Sequence, residues 1–276
     1  MTRATLMGLG EAGAIYARGL RDAGFEVRAY DPFTQLDEAG INQLATVAEA
    51  VEGADLIVSL VGARAAQSVA DAVFPVAGKS AVFADLNTGS PELKRRLGDA
   101  ASASGIRFAD VAVLAPVPRS GVLTPLMVSG DGAETFAEAM RPTGAEIESI
   151  GGDAGDAAAR KLVRSSFMKG LAAVVLESVG AAQAAGCESW LRGQIASELG
   201  GDPQQLIDRL ITGSKLHASR RVHEVEDTRE YLASIHQPAW VAEAAGAWLT
   251  SLLEEAQQDA ANNAHAGFEK EAVAHG

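Results

Sequence analysis

A glycine-rich turn near the N-terminus constrains the fold of this 276-residue chain more than any other feature. Residues 5–7 form a short apolar run, and Gly8, Gly10 and Gly13 follow it in the pattern G-x-G-x-x-G. Between a strand and a helix, such glycines allow a tight turn, close approach of the backbone to a pyrophosphate, and close packing of the helix on the strand. The sequence therefore predicts a dinucleotide-binding βαβ unit. Its predicted contacts to the dinucleotide are Gly8, Leu9, Gly10, Glu11, Ala12 and Gly13.

An acidic residue ends the second predicted strand, which covers residues 25–31. Asp31 stands about 20 residues beyond the glycines, where an acid bonds the ribose hydroxyls of NAD. Because a carboxylate there repels a 2′-phosphate, we predict a preference for NAD. NADP stays possible through Arg28 or Arg64, and Asp31 before Pro32 is also an ordinary turn pair.

Composition and charge limit the kinds of partner. The formal net charge is −13 and no basic block is present, which argues against nucleic acid. The single Cys187 excludes an internal disulfide framework and fits a reducing compartment. No apolar run approaches the roughly 18 residues of a membrane span, and the N-terminus leads directly into the first predicted strand without a signal peptide. We expect a soluble cytoplasmic protein.

Short apolar runs alternate with helical patterns in the first half of the chain. Such runs are typical of strands buried on both faces of a parallel sheet. We predict an α/β domain over residues 1–150, a Rossmann fold with a doubly wound parallel sheet. Its further strands are predicted at residues 55–60, 81–86, 106–109, 125–129 and 147–150.

The segment GGDAG, residues 151–155, is a break in composition and is typical of a hinge. Beyond it, apolar residues recur at helical spacing and no strand pattern is found. We predict an all-α domain over residues 151–276, with the active site in the cleft between the two domains. Its predicted helices cover residues 157–185, 203–211, 218–235 and 238–255.

Two polar segments are candidates for chemistry. Asn87 and Thr88 follow a predicted strand at its carboxyl end, where ligands bind in doubly wound sheets, although both could instead cap the next helix. Lys161 lies one turn into the helix behind the hinge, and a lysine with a lowered pKa can move protons. A solvated lysine on an exposed face is the alternative. No cluster of His, Cys and acidic residues has the spacing of metal ligands, so no metal site is predicted.

These segments together resemble a known family. MGLGEAG near the N-terminus, DLNTGSP after the fourth strand and the glycine-rich run before Lys161 look like the β-hydroxyacid dehydrogenases, which include 3-hydroxyisobutyrate and 6-phosphogluconate dehydrogenases. The resemblance implies that Lys161 is the catalytic acid/base and that Asn87 and Thr88 contact the substrate. It also implies a homodimer or homotetramer formed through the helical domain. We further assign Val61 and Asn87 to the cofactor site.

The substrate loop departs from the family pattern. The family's Asp-Ala-Pro-Val-Ser-Gly-Gly is replaced by DVAVLAP at residues 110–116, so the Ser-Gly-Gly that normally holds a substrate carboxylate is lost. Pro116 also lacks an N–H donor. Ser165 stands where the family has an asparagine four residues after the lysine. We predict that Ala115, Pro116 and Ser165 contact a substrate that differs from those of the best-known members.

The altered pattern looks closer to a phosphogluconate-dehydrogenase-like branch of the family. Lys169 follows the candidate catalytic lysine by eight residues, so both ammonium groups can reach one cleft, and a surface position is the alternative. Counting back from Pro238 places His223, with Arg220 and Arg221 beside it, in the segment that reaches the active site in the family. We predict that Lys169, Arg221 and His223 bind a small anionic substrate. An ordinary charged helix face is the alternative for the arginines.

The predicted activity is reversible, NAD(P)-dependent oxidation of a small 3-hydroxy acid or sugar acid, with Lys161 moving the hydroxyl proton. Two alternatives stay open. An imine reductase has a similar architecture but often lacks the catalytic lysine. A non-catalytic NAD(P)-binding sensor would bind the cofactor without turnover.

Overall fold

The computed structural model describes the backbone of residues 1–274 and the side chains of residues 1–259 and 262. Two compact units divide the chain: the first is Met1–Ser166, and the second begins at Phe167. Among the described residues, no helix is both long and apolar enough to cross a membrane.

An eight-stranded sheet forms the centre of the first unit. Its strands are β1 (Arg3–Met7), β2 (Glu26–Tyr30), β3 (Ile41–Gln43), β4 (Leu56–Ser59), β5 (Val82–Asp85), β6 (Arg107–Val113), β7 (Leu126–Ser129) and β8 (Ile147–Ser149). They lie in the order β3-β2-β1-β4-β5-β6-β7-β8, so the strand order reverses between β1 and β4. In doubly wound sheets, ligands bind at the carboxyl ends of the strands beside such a reversal.

Helices cover both faces of this sheet. They are α1 (Glu11–Asp22), α2 (Val47–Val51), α3 (Ala63–Val73), α4 (Pro91–Ala103), α5 (Val117–Ser120) and α6 (Ala133–Met140), with 3-10 turns at Gly121–Leu123 and Arg141–Thr143. On one face, α1 and α6 contribute Tyr16, Leu20 and Phe136 to an apolar core. On the other face, α3 and α4 contribute Ala70 and Leu97. Because both faces are covered, β4 and β5 are buried throughout, and the predicted α/β Rossmann fold is confirmed.

One strand pair contradicts the prediction of a fully parallel sheet. β6 and β7 are antiparallel, with Asp110 opposite Ser129, whereas the other neighbouring pairs are parallel. The described chain between these two strands contains only α5 and one 3-10 turn, rather than a full crossover helix. β3 is not predicted from the sequence because it has only three residues in a mixed segment.

Helices also account for the described part of the second unit, as predicted. They are α7 (Asp156–Ala184), α8 (Glu188–Leu199), α9 (Pro203–Leu216), α10 (Ala218–Ser234) and α11 (Trp240–Ala274). The division between the units falls inside α7, so the first turns of this helix, which carry Lys161, belong to the first unit. α8 is not predicted, and α11 continues beyond its predicted end at residue 255.

Candidate active site

The glycine turn between β1 and α1 has the geometry that a dinucleotide requires. Gly8 has φ +101°, which side chains rarely adopt, and a Cβ on it would lie 2.6 Å from the Leu60 carbonyl oxygen. A Cβ on Gly13 would lie 2.1 Å from the Gly8 oxygen, whereas a Cβ on Gly10 would meet nothing within 4 Å. The open side of the turn is therefore at Gly10, where Glu11 begins α1. Because helix N-termini offer free N–H groups and a positive dipole end, these residues fit a pyrophosphate.

Asp31 joins the glycine turn to the end of β2. Its Oδ2 accepts a hydrogen bond from the Leu9 N–H at 2.7 Å, and its Oδ1 accepts from the N–H groups of Phe33 and Thr34 at 2.8 and 3.0 Å. A carboxylate offers about four acceptor positions, so one stays available to a ribose hydroxyl. Asp31 also lines the glycine cavity, a space of about 350 Å³ that extends along Gly8, Gly10, Phe33 and Val61.

The two arginines considered for NADP are placed differently from Asp31. The Arg28 guanidinium donates to the carbonyl oxygens of Glu49 and Glu52, at 3.2 Å each. Neither Arg28 nor Arg64 is among the described residues that line the glycine cavity. Among the described residues that line this cavity, Asp31 is therefore the one with a carboxylate.

Asn87 holds the turn that follows β4. Its Oδ1 accepts from the N–H groups of Val61 and Gly62 at 2.8 and 2.6 Å, and its Nδ2 donates to Ser59 and Asp85. The side chain is buried, with 5% of the residue exposed. The amide is thus occupied by bonds that hold the ends of β4 and β5 together, and Asn87 and Thr88 both line the neighbouring cavity.

Lys161 contacts Thr88 at the carboxyl edge of the sheet. Its Nζ donates to the Thr88 Oγ1 at 3.0 Å, and both residues line the lysine cavity, a space of about 500 Å³. Burial lowers the pKa of Lys161 below that of an ordinary lysine, and the positive charge of Lys94 lowers it further. The negative charge of Asp110 acts in the opposite direction. Lys161 is therefore a half-buried amine that loses its proton more readily than an ordinary lysine, a property that suits a proton acceptor.

The rest of the lysine cavity is largely apolar. Leu60, Leu86 and the segment 113–117 line it, and this segment includes the predicted contacts Ala115 and Pro116. The Leu114 N–H is bonded to the Pro125 oxygen, and Pro116 has no N–H. The loop therefore offers few of the donors that the lost Ser-Gly-Gly would supply. Among the described residues, no group of three or more His, Cys, Asp and Glu is placed to hold a metal ion.

Lys94 of α4 is a functional candidate that the sequence analysis missed. It is 1% exposed and lies between Asp85 and Asp110. A lysine in a helix is ordinarily read as solvated. One feature of the sequence does indicate that Lys94 is buried. It lies at helical spacing from Leu97 and Ala101, on the same face of α4.

The other predicted substrate contacts are distributed over both units. Ser165 belongs to the first unit, one turn after Lys161 on α7, whereas Lys169, Arg221 and His223 belong to the second. The Arg221 guanidinium donates to the Ser214 hydroxyl at 2.9 Å, and His223 Nδ1 lies 3.0 Å from the Ser219 carbonyl oxygen. The neighbouring Arg220 pairs with Glu224 at 2.6 Å, as on an ordinary charged helix face.

Two family descriptions match the chain. The NAD binding domain of 6-phosphogluconate dehydrogenase matches residues 3–151, and a domain of unknown function matches residues 182–252. The first match covers more than half of the chain and includes the glycine turn, Asp31, Asn87 and Thr88. The N-terminal unit is therefore an NAD-binding domain.

Solved structures with a similar fold include one protein of unassigned activity and several reductases. A conserved hypothetical protein from Sinorhizobium meliloti 1021 is 29% identical, with a TM-score of 0.63 over 91% of this chain and 88% of that chain. An imine reductase variant from Myxococcus stipitatus in complex with NAD⁺ is 18% identical, with a TM-score of 0.80 over 92% of this chain and 95% of that chain. An imine reductase from Aspergillus terreus, in complex with NADPH4 and a dibenzazepine, is 21% identical, with a TM-score of 0.79 over 93% of this chain and 95% of that chain.

The family match, the glycine turn between β1 and α1, and the following all-helical region agree with one another. The chain belongs to the family of the NAD binding domain of 6-phosphogluconate dehydrogenase and is an NAD(P)-binding oxidoreductase of the β-hydroxyacid dehydrogenase-like group.

Proposed function

We propose that this protein catalyses the reversible, NAD(P)-dependent oxidation of a small 3-hydroxy acid or sugar acid, with Lys161 as general acid/base. The observation that carries the proposal is the Lys161 amine, which lies 3.0 Å from the Thr88 hydroxyl in the lysine cavity and has a lowered pKa. The glycine cavity and the lysine cavity belong to the same unit, and Leu60 lines both. A cofactor site and a proton-transfer group therefore occur in one compact unit.

Each residue has a defined part in the proposed reaction. NAD(P), when bound, supplies the hydride acceptor for oxidation and the hydride donor for reduction. Neutral Lys161 accepts the proton of the substrate hydroxyl during oxidation, and the protonated amine returns it during reduction. Thr88 orients the amine through its hydroxyl oxygen. The predicted contacts of Ser165, Lys169, Arg221 and His223 with the acidic group of the substrate belong to the same proposal.

The cofactor preference follows from the charge at the glycine cavity. Asp31 supports NAD, because a carboxylate beside the ribose repels a 2′-phosphate. NADP stays the second possibility, since the similar imine reductase structures contain either NAD⁺ or an NADPH form.

A homodimer or homotetramer formed through the helical domain is part of the proposal. The second unit leaves large apolar side chains exposed, including Phe167, Leu176, Trp190, Trp240 and Trp248. These side chains support the proposed assembly, because exposed apolar area that forms a patch is typical of protein interfaces. Sedimentation equilibrium tests it: we expect a dimer or tetramer mass, and a monomer at micromolar concentration would contradict the assembly.

Imine reduction is the second candidate function. It is favoured by the apolar lining of the lysine cavity and by the fold shared with imine reductases. Lys161 at the cavity favours the dehydrogenase, because oxidation of an alcohol needs a base for the hydroxyl proton.

The proposed function is tested by turnover with the purified protein. NADH and NADPH formation is followed against a panel of 3-hydroxy acids and sugar acids, and cofactor oxidation is followed against a panel of cyclic imines. We expect oxidation of at least one hydroxy acid, faster with NAD. Turnover confined to imines would replace the proposed function with the second candidate.

The pH dependence should report the protonation state of Lys161. Because the neutral amine acts in oxidation, kcat/KM for the hydroxy acid should rise with pH through the pKa of Lys161, which lies below the ordinary lysine value. Because the protonated amine acts in reduction, kcat/KM for the keto acid should fall over the same interval. Initial rates across pH in both directions measure the two profiles. Parallel profiles in the two directions would contradict this role of Lys161.

The variant Asp31→Asn should shift the cofactor preference toward NADP. It removes the negative charge from the glycine cavity while keeping an oxygen that can accept from backbone N–H groups. A hydrogen bond to a charged group contributes about 1.5–3 kcal/mol, so the ratio of kcat/KM for NADP over NAD should rise about tenfold or more. Asp37→Asn, an exposed change on the same loop, is the matched control. An unchanged ratio in folded Asp31→Asn would show that Asp31 does not select the cofactor.

A further inference from the structure

Lys94, Asp85 and Asp110 form a buried ion cluster in the first unit. The Lys94 Nζ lies 2.9 Å from Asp85 Oδ2 and 3.0 Å from Asp110 Oδ1, and all three side chains are at most 1% exposed. The same ammonium donates to the Asp85 carbonyl oxygen at 2.7 Å. The ammonium is therefore ion-paired with two carboxylates and hydrogen-bonded to one carbonyl oxygen.

The two carboxylates need the cation between them. Asp85 and Asp110 are paired neighbours on the parallel strands β5 and β6. Adjacent strands lie about 4.8 Å apart, and like charges buried at that separation repel one another. Lys94 offsets this repulsion by pairing with both carboxylates.

Asp110 uses its second oxygen to hold the start of α7. Its Oδ2 accepts from the Gly155 and Ala158 N–H groups at 3.1 and 3.0 Å. The Ser129 hydroxyl accepts from the Ala157 N–H at 3.1 Å. A carboxylate at a helix N-terminus satisfies free N–H groups and interacts favourably with the helix dipole. Lys161 follows one turn later on the same helix. The position of its amine therefore depends on these hydrogen bonds at the start of α7.

We propose that Lys94 is a positioning residue for the reaction: by pairing with Asp110 and holding its carboxylate in place, it fixes the first turn of α7 and holds Lys161 beside Thr88. The inference rests on the proposed function only in taking Lys161 as the acid/base. The anchoring of α7 by the cluster is a property of the fold and can be measured without a substrate.

Lys94 also acts on Lys161 through its charge. The charges that act on the Lys161 amine come from Lys94 on α4 and Asp110 on β6, and Asp85 on β5 completes the cluster. Among the described residues that line the lysine cavity, Lys161 is the one whose side chain can ionise. Loss of the Lys94 charge should therefore make the Lys161 amine easier to protonate.

The variant Lys94→Met tests the proposal with two measurements on the whole chain. Acetic anhydride labelling of Lys161, quantified by mass spectrometry across pH, follows its neutral fraction. Hydrogen exchange of residues 155–161 follows the anchoring of α7. In folded Lys94→Met we expect labelling near neutral pH to be about threefold slower or more, and exchange about tenfold faster. Lys79→Met, which removes an exposed lysine elsewhere, should leave both measurements unchanged.

Two results would overturn the proposal. The first is a folded Lys94→Met protein in which the Lys161 labelling profile and the hydrogen exchange of residues 155–161 both match the native protein. A lysine that only fills space would lower the melting temperature and leave both measurements unchanged. The second applies if that variant does not fold. The double variant Asp85→Asn with Lys94→Met removes one charge of each sign, and we expect its Lys161 profile to move toward higher pH. A native-like profile in the double variant would contradict the role of Lys94. Absence of dehydrogenase turnover, with these shifts present, would overturn the proposed function alone.

Discussion

Replacement of Lys161 by methionine is expected to lower kcat for hydroxy-acid oxidation by about 10²–10⁴-fold, the usual contribution of a positioned acid/base. The change removes the amine that contacts Thr88 and keeps a side chain of similar length. The Kd of NADH should change far less, because the glycine turn lies elsewhere in the unit. Steady-state kinetics and fluorescence titration of NADH measure the two effects.

The matched control for this prediction is Lys79→Met, which loses the same charge at an exposed position. It should keep native kcat. A Lys161→Met protein that retains kcat within about threefold would contradict the role of Lys161 as acid/base. In that case, the proton would have to move through another group, and Thr88 would be the first to examine.

The second large effect is expected at Gly13. A Cβ there would lie 2.1 Å from the Gly8 carbonyl oxygen, and backbone atoms cannot move aside cheaply. Overpacking of this kind costs about 1–3 kcal/mol, so Gly13→Ala should lower the free energy of unfolding by that amount. It should also weaken NADH binding, because α1 would move away from the turn that receives the pyrophosphate. Chemical denaturation and NADH titration measure these effects.

Gly10→Ala is the matched control, and it should separate folding from cofactor binding. A Cβ at Gly10 meets nothing within 4 Å, so the free energy of unfolding should stay within about 0.5 kcal/mol of the native value. The same methyl group would occupy the space through which a pyrophosphate approaches the backbone. We expect NADH to bind about tenfold more weakly or worse. Native NADH affinity in Gly10→Ala would contradict placement of the cofactor at this turn.

The features that the sequence predicts well are local ones. The glycine turn, Asp31 and the apolar strands are specified within about 30 residues, because one βαβ unit needs them in that order. The antiparallel direction of β7, in contrast, is not specified by local sequence. It depends on a connection that contains no full crossover helix, and the apolar run of β7 looks the same in either direction.

The roles of individual side chains at the site depend on contacts between distant segments. The Asn87 amide oxygen accepts from the N–H groups of the turn after β4, about 25 residues away, although Asn87 and Thr88 both line the lysine cavity. Lys94 is buried because two strands place Asp85 and Asp110 side by side. Neither arrangement can be read from composition or spacing alone, although the helical phase of Lys94 with Leu97 is a usable signal.

The most direct test of the account is the transfer of isotope between substrate and cofactor. A 3-hydroxy acid carrying deuterium on its carbinol carbon is incubated with NAD or NADP and the native protein, and the reduced cofactor is analysed by mass spectrometry. We predict one deuterium in the reduced cofactor for each keto acid formed, and loss of this transfer in Lys161→Met. No transfer from any hydroxy acid, together with transfer from deuterated NADH or NADPH to the carbon of a cyclic imine, would contradict the account and identify an imine reductase.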